Sequence, residues 1–180
     1  MHHLKALVFG LVLAALPAAS LGKIYFSKQE AMELAFGKDA QVEMMPLFLT
    51  DTERQKIERL AKTKLESSLY TYYVGKRSGR IVGYAAIETH TVRTKPETLL
   101  IVLNPDGTLK RIEILAFHEP PEYQPPLRWF DQLFGVPLQQ LRLGGGVQGI
   151  TGATLSARAA LDSVRKVLAI YHVMLASQEG

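Results

Sequence analysis

The sequence predicts an α+β domain: a mainly antiparallel sheet with packed helices and a long C-terminal helix. Two segments with helix-start residues come first, and two successive strand–turn–strand patterns follow over residues 69–117. Apolar residues at helical spacing then fill residues 155–176. This order of helix, helix, meander and helix indicates helices that pack on a sheet.

The first two predicted helices begin at residues that cap helices. Ser27 and Glu30 have the spacing of a capping box, and this helix is expected to end near Phe36. Residues 41–50 are mostly apolar and are expected to be extended. The second helix is predicted to be capped by Asp51 and to run through Leu65, and its apolar face consists of Ile57, Leu60, Ala61 and Leu65.

Four strands are predicted from segments rich in β-branched and aromatic residues. Arg77-Ser78-Gly79 separates the first two strands and Asn104-Pro105-Asp106-Gly107 separates the last two, as tight turns do. Two hairpins in succession indicate antiparallel pairing. The predicted strands cover residues 69–75, 80–92, 98–103 and 108–117.

The segment after the sheet begins with a proline-rich loop. Four prolines within residues 118–126 argue against a helix and predict a stiff, extended connector. Residues 127–134 are predicted to form a short aromatic helix, in which Trp129 fits either a core position or a surface for a planar cofactor. A glycine-rich loop and the closing helix, predicted over residues 155–176, complete the chain.

The first 20 residues have the features of an export segment. Lys5 gives a weakly basic start, residues 6–16 are almost entirely apolar, and Ala18 and Ser20 are small, which suits signal peptidase. The apolar run is short for a membrane span, which needs about 20 residues. We therefore expect cleavage after Ser20, with an uncleaved anchor as the alternative. Residues 21–180 would form one domain, periplasmic or on the outer face of the cytoplasmic membrane.

The composition excludes several classes of function. The chain of 180 residues has no cysteine, which rules out disulfides, Cys-ligated iron–sulfur clusters, thiolate zinc sites and c-type haem attachment. Its formal net charge is +4 without a run of Lys or Arg, so nucleic acid is not an expected partner. Redox chemistry would need an organic cofactor or a metal held by His and carboxylates.

The most informative stretch is the glycine-rich loop and helix start at residues 144–156. A helix N-terminus presents unpaired N–H groups and a positive dipole end, so this stretch predicts a site for an anion such as phosphate. The hydroxyl of Thr154 stands at the junction, preceded only by the small residues Gly152 and Ala153. The alternative is a structural turn that ends in a threonine N-cap and binds nothing.

The remaining polar candidates have weaker patterns. Glu113, His118 and Glu119 match no metal-ligand spacing, so solvated residues at a strand end are the expected interpretation. His90 and His172 are lone histidines, which are more often surface or satisfied core residues than ligands. The sequence has no signature of a Ser or Cys nucleophile.

Residues 151–156, Thr-Gly-Ala-Thr-Leu-Ser, resemble the motif of the FMN-binding domain family, Ser/Thr-Gly-Ala-Thr-x-Ser/Thr at the start of a C-terminal helix. That family includes the G subunit of Rnf electron-transport complexes and the C subunit of the sodium-translocating NADH:quinone reductase. The order of strand, His-Glu loop, aromatic helix, motif and closing helix is similar over residues 69–173. The resemblance implies an FMN joined through its phosphate to Thr154. The other candidate cofactor-binding residues are Thr151, Gly152, Ala153, Leu155, Ser156, Glu119 and Trp129.

The resemblance further implies an exported electron-transfer flavoprotein, a carrier or redox subunit rather than a stand-alone catalyst. Its partners would be a flavin transferase that uses FAD and Mg²⁺, and a redox partner at the inner membrane. Gln148 stands where the family motif usually has Asp, and residues 119–122 replace a loop of the Glu-Thr-Pro-Gly type. Two alternatives stay open: non-covalent FMN binding, and a cell-envelope interaction module without a redox role.

Overall fold

The computed structural model describes residues 22–176, so the predicted signal peptide lies outside the described residues. The strands are β1 (Lys23–Ile24), β2 (Gln41–Phe48), β3 (Leu69–Arg77), β4 (Arg80–Thr91), β5 (Pro96–Leu103) and β6 (Leu109–Phe117). They form one antiparallel sheet in the order β1-β6-β5-β4-β3-β2. The helices are α1 (Lys28–Phe36), α2 (Asp51–Ala61) and α3 (Thr154–Met174), with 3-10 helices at Pro121–Tyr123, Leu127–Leu133 and Leu138–Gln140. The predicted α+β fold is confirmed.

The sheet separates two apolar layers because successive side chains of a strand point to opposite faces. In β5, Leu99 and Ile101 pack with α2 and α3 on one face. Leu100 and Val102 pack with α1 on the other face. Since both faces of β5 are covered, all four side chains have no exposed area.

Hydrogen bonds from tyrosines fasten α3 to the sheet and to one of its turns. The Tyr72 hydroxyl on β3 donates to the Val167 carbonyl at 2.6 Å, and the Tyr171 hydroxyl donates to the Pro105 carbonyl at 2.7 Å. Burial raises the pKa of the Tyr72 hydroxyl well above its ordinary value, so this group remains a hydrogen-bond donor. The C-terminal half of the helix that begins at the motif is therefore held in place.

Some predicted boundaries are wrong by a few residues. The N-cap of α2 is Thr50 rather than Asp51, because the Thr50 hydroxyl accepts a hydrogen bond from the first turn. The helix ends at Ala61, earlier than expected, since Lys62 adopts a left-handed conformation with a φ of 49°. Strand β1 was not predicted, because two residues carry no recognisable alternation.

The segment after β6 also differs from the prediction. The proline-rich loop contains one 3-10 turn at Pro121–Tyr123, with proline in its first turn, where a missing N–H costs little. The aromatic helix is likewise a 3-10 helix, Leu127–Leu133. The closing helix begins one residue earlier than predicted, at Thr154, and ends at Met174.

Candidate functional site

The start of α3 has no side-chain cap. Its N-cap is Ala153, which has no capping side chain, and the first intrahelical bond runs from the Ala157 N–H to the Ala153 carbonyl. The N–H groups of the residues between them precede the hydrogen-bond ladder and are free to bind an anion. The macrodipole of a 21-residue helix adds partial positive charge at this end.

Thr154, the first residue of α3, is exposed, and its hydroxyl donates to the Ile150 carbonyl at 2.8 Å. The hydroxyl therefore does not cap the helix, which removes the interpretation of Thr154 as a structural N-cap. The bond to Ile150 uses the hydroxyl proton and fixes the side chain. The oxygen keeps its lone pairs, and because the residue is exposed it remains available to an electrophile.

Gly152 leaves the space in front of Thr154 open. Its φ is +87°, a conformation that L side chains rarely adopt, and no atom lies within 4 Å of where a Cβ would stand. Thr151 and Gly152 are exposed, whereas Ala153 is buried against the core. A ligand can therefore approach the hydroxyl from the side of the loop.

Ser156 is buried, and its hydroxyl donates to the Tyr123 carbonyl at 2.5 Å. This bond attaches the first turn of α3 to the proline-rich loop. The predicted contribution of Ser156 to a phosphate site is thus limited to its backbone N–H. Leu155, also predicted at this site, is half exposed beside Thr154.

The three glycines at 144–146 lie in a tight turn that backbone hydrogen bonds close. The Gly144 N–H donates to the Val147 carbonyl at 3.0 Å, and the Gly146 N–H donates to the Gln140 carbonyl at 3.0 Å. A Cβ on Gly145 would lie 2.5 Å from Arg142 Cγ, and one on Gly146 would lie 2.8 Å from the Gln140 carbonyl oxygen. The φ of +73° at Gly144 and the backbone contact at Gly146 show that glycine serves a tight turn here. The anion site predicted for the stretch therefore narrows to its end at residues 151–156.

Trp129 supports the loop that leads to the motif. Its ring is buried, and its Nε1–H donates to the Gln148 carbonyl at 2.8 Å. The Gln132 side chain accepts from the Gln148 N–H at 2.7 Å, so the backbone of Gln148 is held on both sides. A direct contact between Trp129 and a cofactor stays a prediction.

Glu119 is buried and binds the turn between β4 and β5. Its Oε1 accepts from the N–H groups of Arg93, Thr94 and Lys95 at 3.1, 2.6 and 2.8 Å. The Thr94 N–H contributes most, and together these donors outweigh burial and lower the pKa of the Glu119 carboxyl. Glu119 therefore orders a turn, and its predicted contact with a cofactor stays a prediction.

Arg93 and Tyr123 complete the surroundings of the motif, and the sequence pattern pointed to neither. The guanidinium carbon of Arg93 lies 4.6 Å from the centroid of the Tyr123 ring, a cation–π contact. Tyr123 in turn receives the Ser156 hydroxyl through its carbonyl. Contacts between residues 30 or more positions apart leave no local signal, so only the folded chain brings these groups together.

The residues at the start of α3 fit the phosphate of FMN. They combine uncapped helix N–H groups, an exposed hydroxyl and a glycine with positive φ. Arg158 is exposed and follows Thr154 by one helical turn, which places a cation on the same face. Among residues 22–176 no group of His and carboxylate side chains could hold a metal ion.

Comparison with protein families gives one match: residues 94–169 match the FMN-binding domain. The matched span runs from the β4–β5 turn into α3 and includes the uncapped helix start. This is the class that the site defines, a flavin-binding domain. The match identifies an FMN-binding domain over residues 94–169, which implies FMN as the cofactor and suggests a role in electron transfer. No curated protein and no solved structure matches the chain.

None of the helices within residues 22–176 has the length and apolar character of a membrane span.

Proposed function

We propose that this protein is an exported electron-transfer flavoprotein that carries FMN covalently on Thr154. The observation that supports it best is the uncapped start of α3, with its exposed Thr154 hydroxyl, inside the span that matches the family. Covalent attachment, export and partners go beyond that match and rest on the arguments below.

The chemistry proposed at Thr154 is a phosphoryl transfer from FAD. The Thr154 oxygen would form a bond to the phosphorus of the FMN half, the pyrophosphate bond would break, and AMP would leave. The hydroxyl proton passes to the solvent in this step, so the bond to the Ile150 carbonyl is lost as well. A flavin transferase with Mg²⁺ would supply the donor and neutralise the charge of the pyrophosphate.

The protein would stabilise the resulting phosphodiester by charge. The N–H groups of the first turn of α3 and the helix dipole favour a bound anion. The Arg158 guanidinium on the same helix face adds to this field. When bound, FMN would supply one- and two-electron redox chemistry that a chain without cysteine cannot supply itself.

Export is proposed from the first 20 residues, which have the pattern of a signal peptide. A covalent bond would keep FMN on the protein in a compartment where free flavin is scarce, and a redox partner at the inner membrane would exchange electrons with it. The test is the N-terminal sequence of protein recovered from the periplasm. Leu21 at the start supports cleavage after Ser20, and an intact Met1 with membrane-bound protein supports the anchor.

The attachment is tested by expressing the chain with and without a flavin transferase. We expect a band that fluoresces after denaturing electrophoresis only with the transferase, and an intact mass larger by one FMN. Thr154→Ala should lose both signals, whereas Thr151→Ala, which removes the neighbouring exposed hydroxyl of the motif, should keep them. Flavin attached to the Thr154→Ala protein would contradict the proposal.

Gln148 favours a second candidate, a protein that binds FMN without a covalent bond. Its side chain is exposed and stands where the family motif usually has Asp. The two candidates are separated by Gln148→Asp, with Gln148→Asn as the uncharged control. Faster attachment in the Asp variant alone supports the covalent route, and yellow colour that is released by denaturation supports the non-covalent one. A protein that binds no flavin with or without transferase would point to the interaction module.

A further inference from the structure

A polar cluster lies in the contact between α3 and the sheet, which the Tyr72–Val167 hydrogen bond and the Lys166–Glu88 ion pair also cross. The His90 imidazole on β4 lies 2.9 Å from Glu97 Oε2 through Nε2, and 2.9 Å from Ser163 Oγ through Nδ1. Glu97 on β5 has no exposed area and Ser163 on α3 is 3 % exposed. One imidazole therefore joins two strands and the helix at a single point.

Burying this cluster costs folding free energy. Glu97 Oε1 is buried and has no hydrogen-bond partner in the described part of the chain. An orphaned carboxylate oxygen costs free energy, and replacing a buried ionic group by well-packed apolar side chains is often neutral or stabilising. What the cluster supplies is a fixed register. Its directional hydrogen bonds hold α3 at one position along the sheet, whereas apolar contacts alone would permit the helix to slide.

The cluster is connected to the flavin site along two routes. Ser163 follows Ser156 by two helical turns, on the same face of α3. His90 lies near the end of β4, three residues before Arg93 in the turn that follows. Because Arg93 lies on Tyr123, and Tyr123 receives the Ser156 hydroxyl, the contacts close a circuit from α3 through β4 and back to α3.

We propose that His90 is a positioning residue for the flavin site. Through Ser163 and Glu97 it fixes the start of α3, and with it Thr154, against the turn that carries Arg93. The inference rests on the proposed attachment of FMN to Thr154. It requires that stability and the rate of attachment respond differently when the cluster is removed.

The test is the double variant His90→Leu/Glu97→Leu in the full chain. Removing both side chains leaves no uncompensated charge, and the Ser163 hydroxyl can then donate to the Ala159 carbonyl one turn back on its own helix. We expect the rate of FMN attachment by a transferase to fall about tenfold or more, as misplaced reacting groups do. The urea midpoint of the flavin-free protein should stay the same or rise. His90→Gln, whose amide can donate to Glu97 and accept from Ser163, should keep most of the rate.

Tyr171→Phe is the matched control, because it removes the hydrogen bond that fastens the far end of α3 to Pro105. It should lower the urea midpoint and leave the attachment rate unchanged. The amide resonances of residues 154–156, measured by NMR without flavin, should move in the double variant and stay in Tyr171→Phe. An unchanged rate or unmoved resonances in the double variant would overturn the inference. If the resonances move while even the wild-type chain accepts no FMN, the proposed function alone fails.

Discussion

The starts of α2 and α3 use threonine in opposite ways. The Thr50 hydroxyl accepts from the Glu53 N–H at 3.3 Å, and Glu53 Oε2 accepts from the Thr50 N–H at 2.8 Å, a complete capping box. At α3, Thr154 stands one position later, points its hydroxyl proton backwards to Ile150, and leaves the first turn without a side-chain cap. The same side chain closes one helix start and leaves the other open.

The difference shows what a helix start needs when it is also a binding site. Side chains of its own first turn stabilise α2, and they also occupy its N–H groups. The start of α3 keeps those groups free and is held instead by the proline-rich loop and by buried Ala153. The two starts should therefore respond to different substitutions.

The largest expected effect is on the turn between β4 and β5, whose Arg93 packs on Tyr123. Glu119→Ala removes the acceptor of three backbone N–H groups and should lower the free energy of unfolding by about 3 kcal/mol at pH 7. Urea unfolding measures it. Glu113→Ala is the matched control, because Glu113 lies in a more exposed ion pair with Arg111 and should cost less than about 1 kcal/mol. Equal costs would show that Glu119 does not hold the turn.

The same substitution has a predicted pH dependence. Backbone donors, with the Thr94 N–H first, lower the pKa of the Glu119 carboxyl. The charged carboxylate is therefore favoured more in the folded state than in the unfolded state. The stabilisation is fully present above the ordinary pKa of 4.5 and is lost as the pH falls through the lowered value. The difference between wild type and Glu119→Ala should therefore shrink in acid.

A second prediction concerns the bond between α3 and the proline-rich loop. Ser156→Ala leaves the Tyr123 carbonyl without its donor and should destabilise the protein by about 2 kcal/mol. Thr151→Ala, at an exposed hydroxyl of the same motif, should change the stability by less than about 0.5 kcal/mol. A neutral Ser156→Ala would mean that the start of α3 is held by apolar contacts alone.

A third prediction compares two glycines of the loop. Gly152 has positive φ and Gly149 does not, and no atom lies within 4 Å of a Cβ at either position. Gly152→Ala should cost about 1.5 kcal/mol through backbone strain, whereas Gly149→Ala should be nearly neutral. Thermal unfolding of both variants measures the difference. Equal values would show that the start of α3 does not depend on the positive φ of Gly152.

Local signals in the sequence predicted much of the fold and part of the site. Alternation and turn residues identified β3 to β6, and the capping-box spacing at Ser27 identified α1. The motif pointed to Thr154 because a hydroxyl behind small residues at a helix start is a local pattern. The contacts of Arg93 and Tyr123 join segments that are distant in the sequence, so no local pattern predicted them. The polar stretch at Glu119 likewise gave no sign that its carboxylate would be buried under a turn.

The smallest expected effect returns to the two threonines. Thr50→Ala removes an N-cap and should destabilise the protein by about 1 kcal/mol, without altering the rate at which a transferase attaches FMN. Thr154→Ala removes only an exposed hydrogen bond to Ile150, so its unfolding free energy should change by less than that of Thr50→Ala while attachment is lost. Urea unfolding measures the free energy of unfolding of each variant, and in-gel fluorescence measures the FMN attached to each. If Thr154→Ala proves the more destabilising of the two, its hydroxyl is needed to hold the helix start, and the contrast between a closed and an open start disappears.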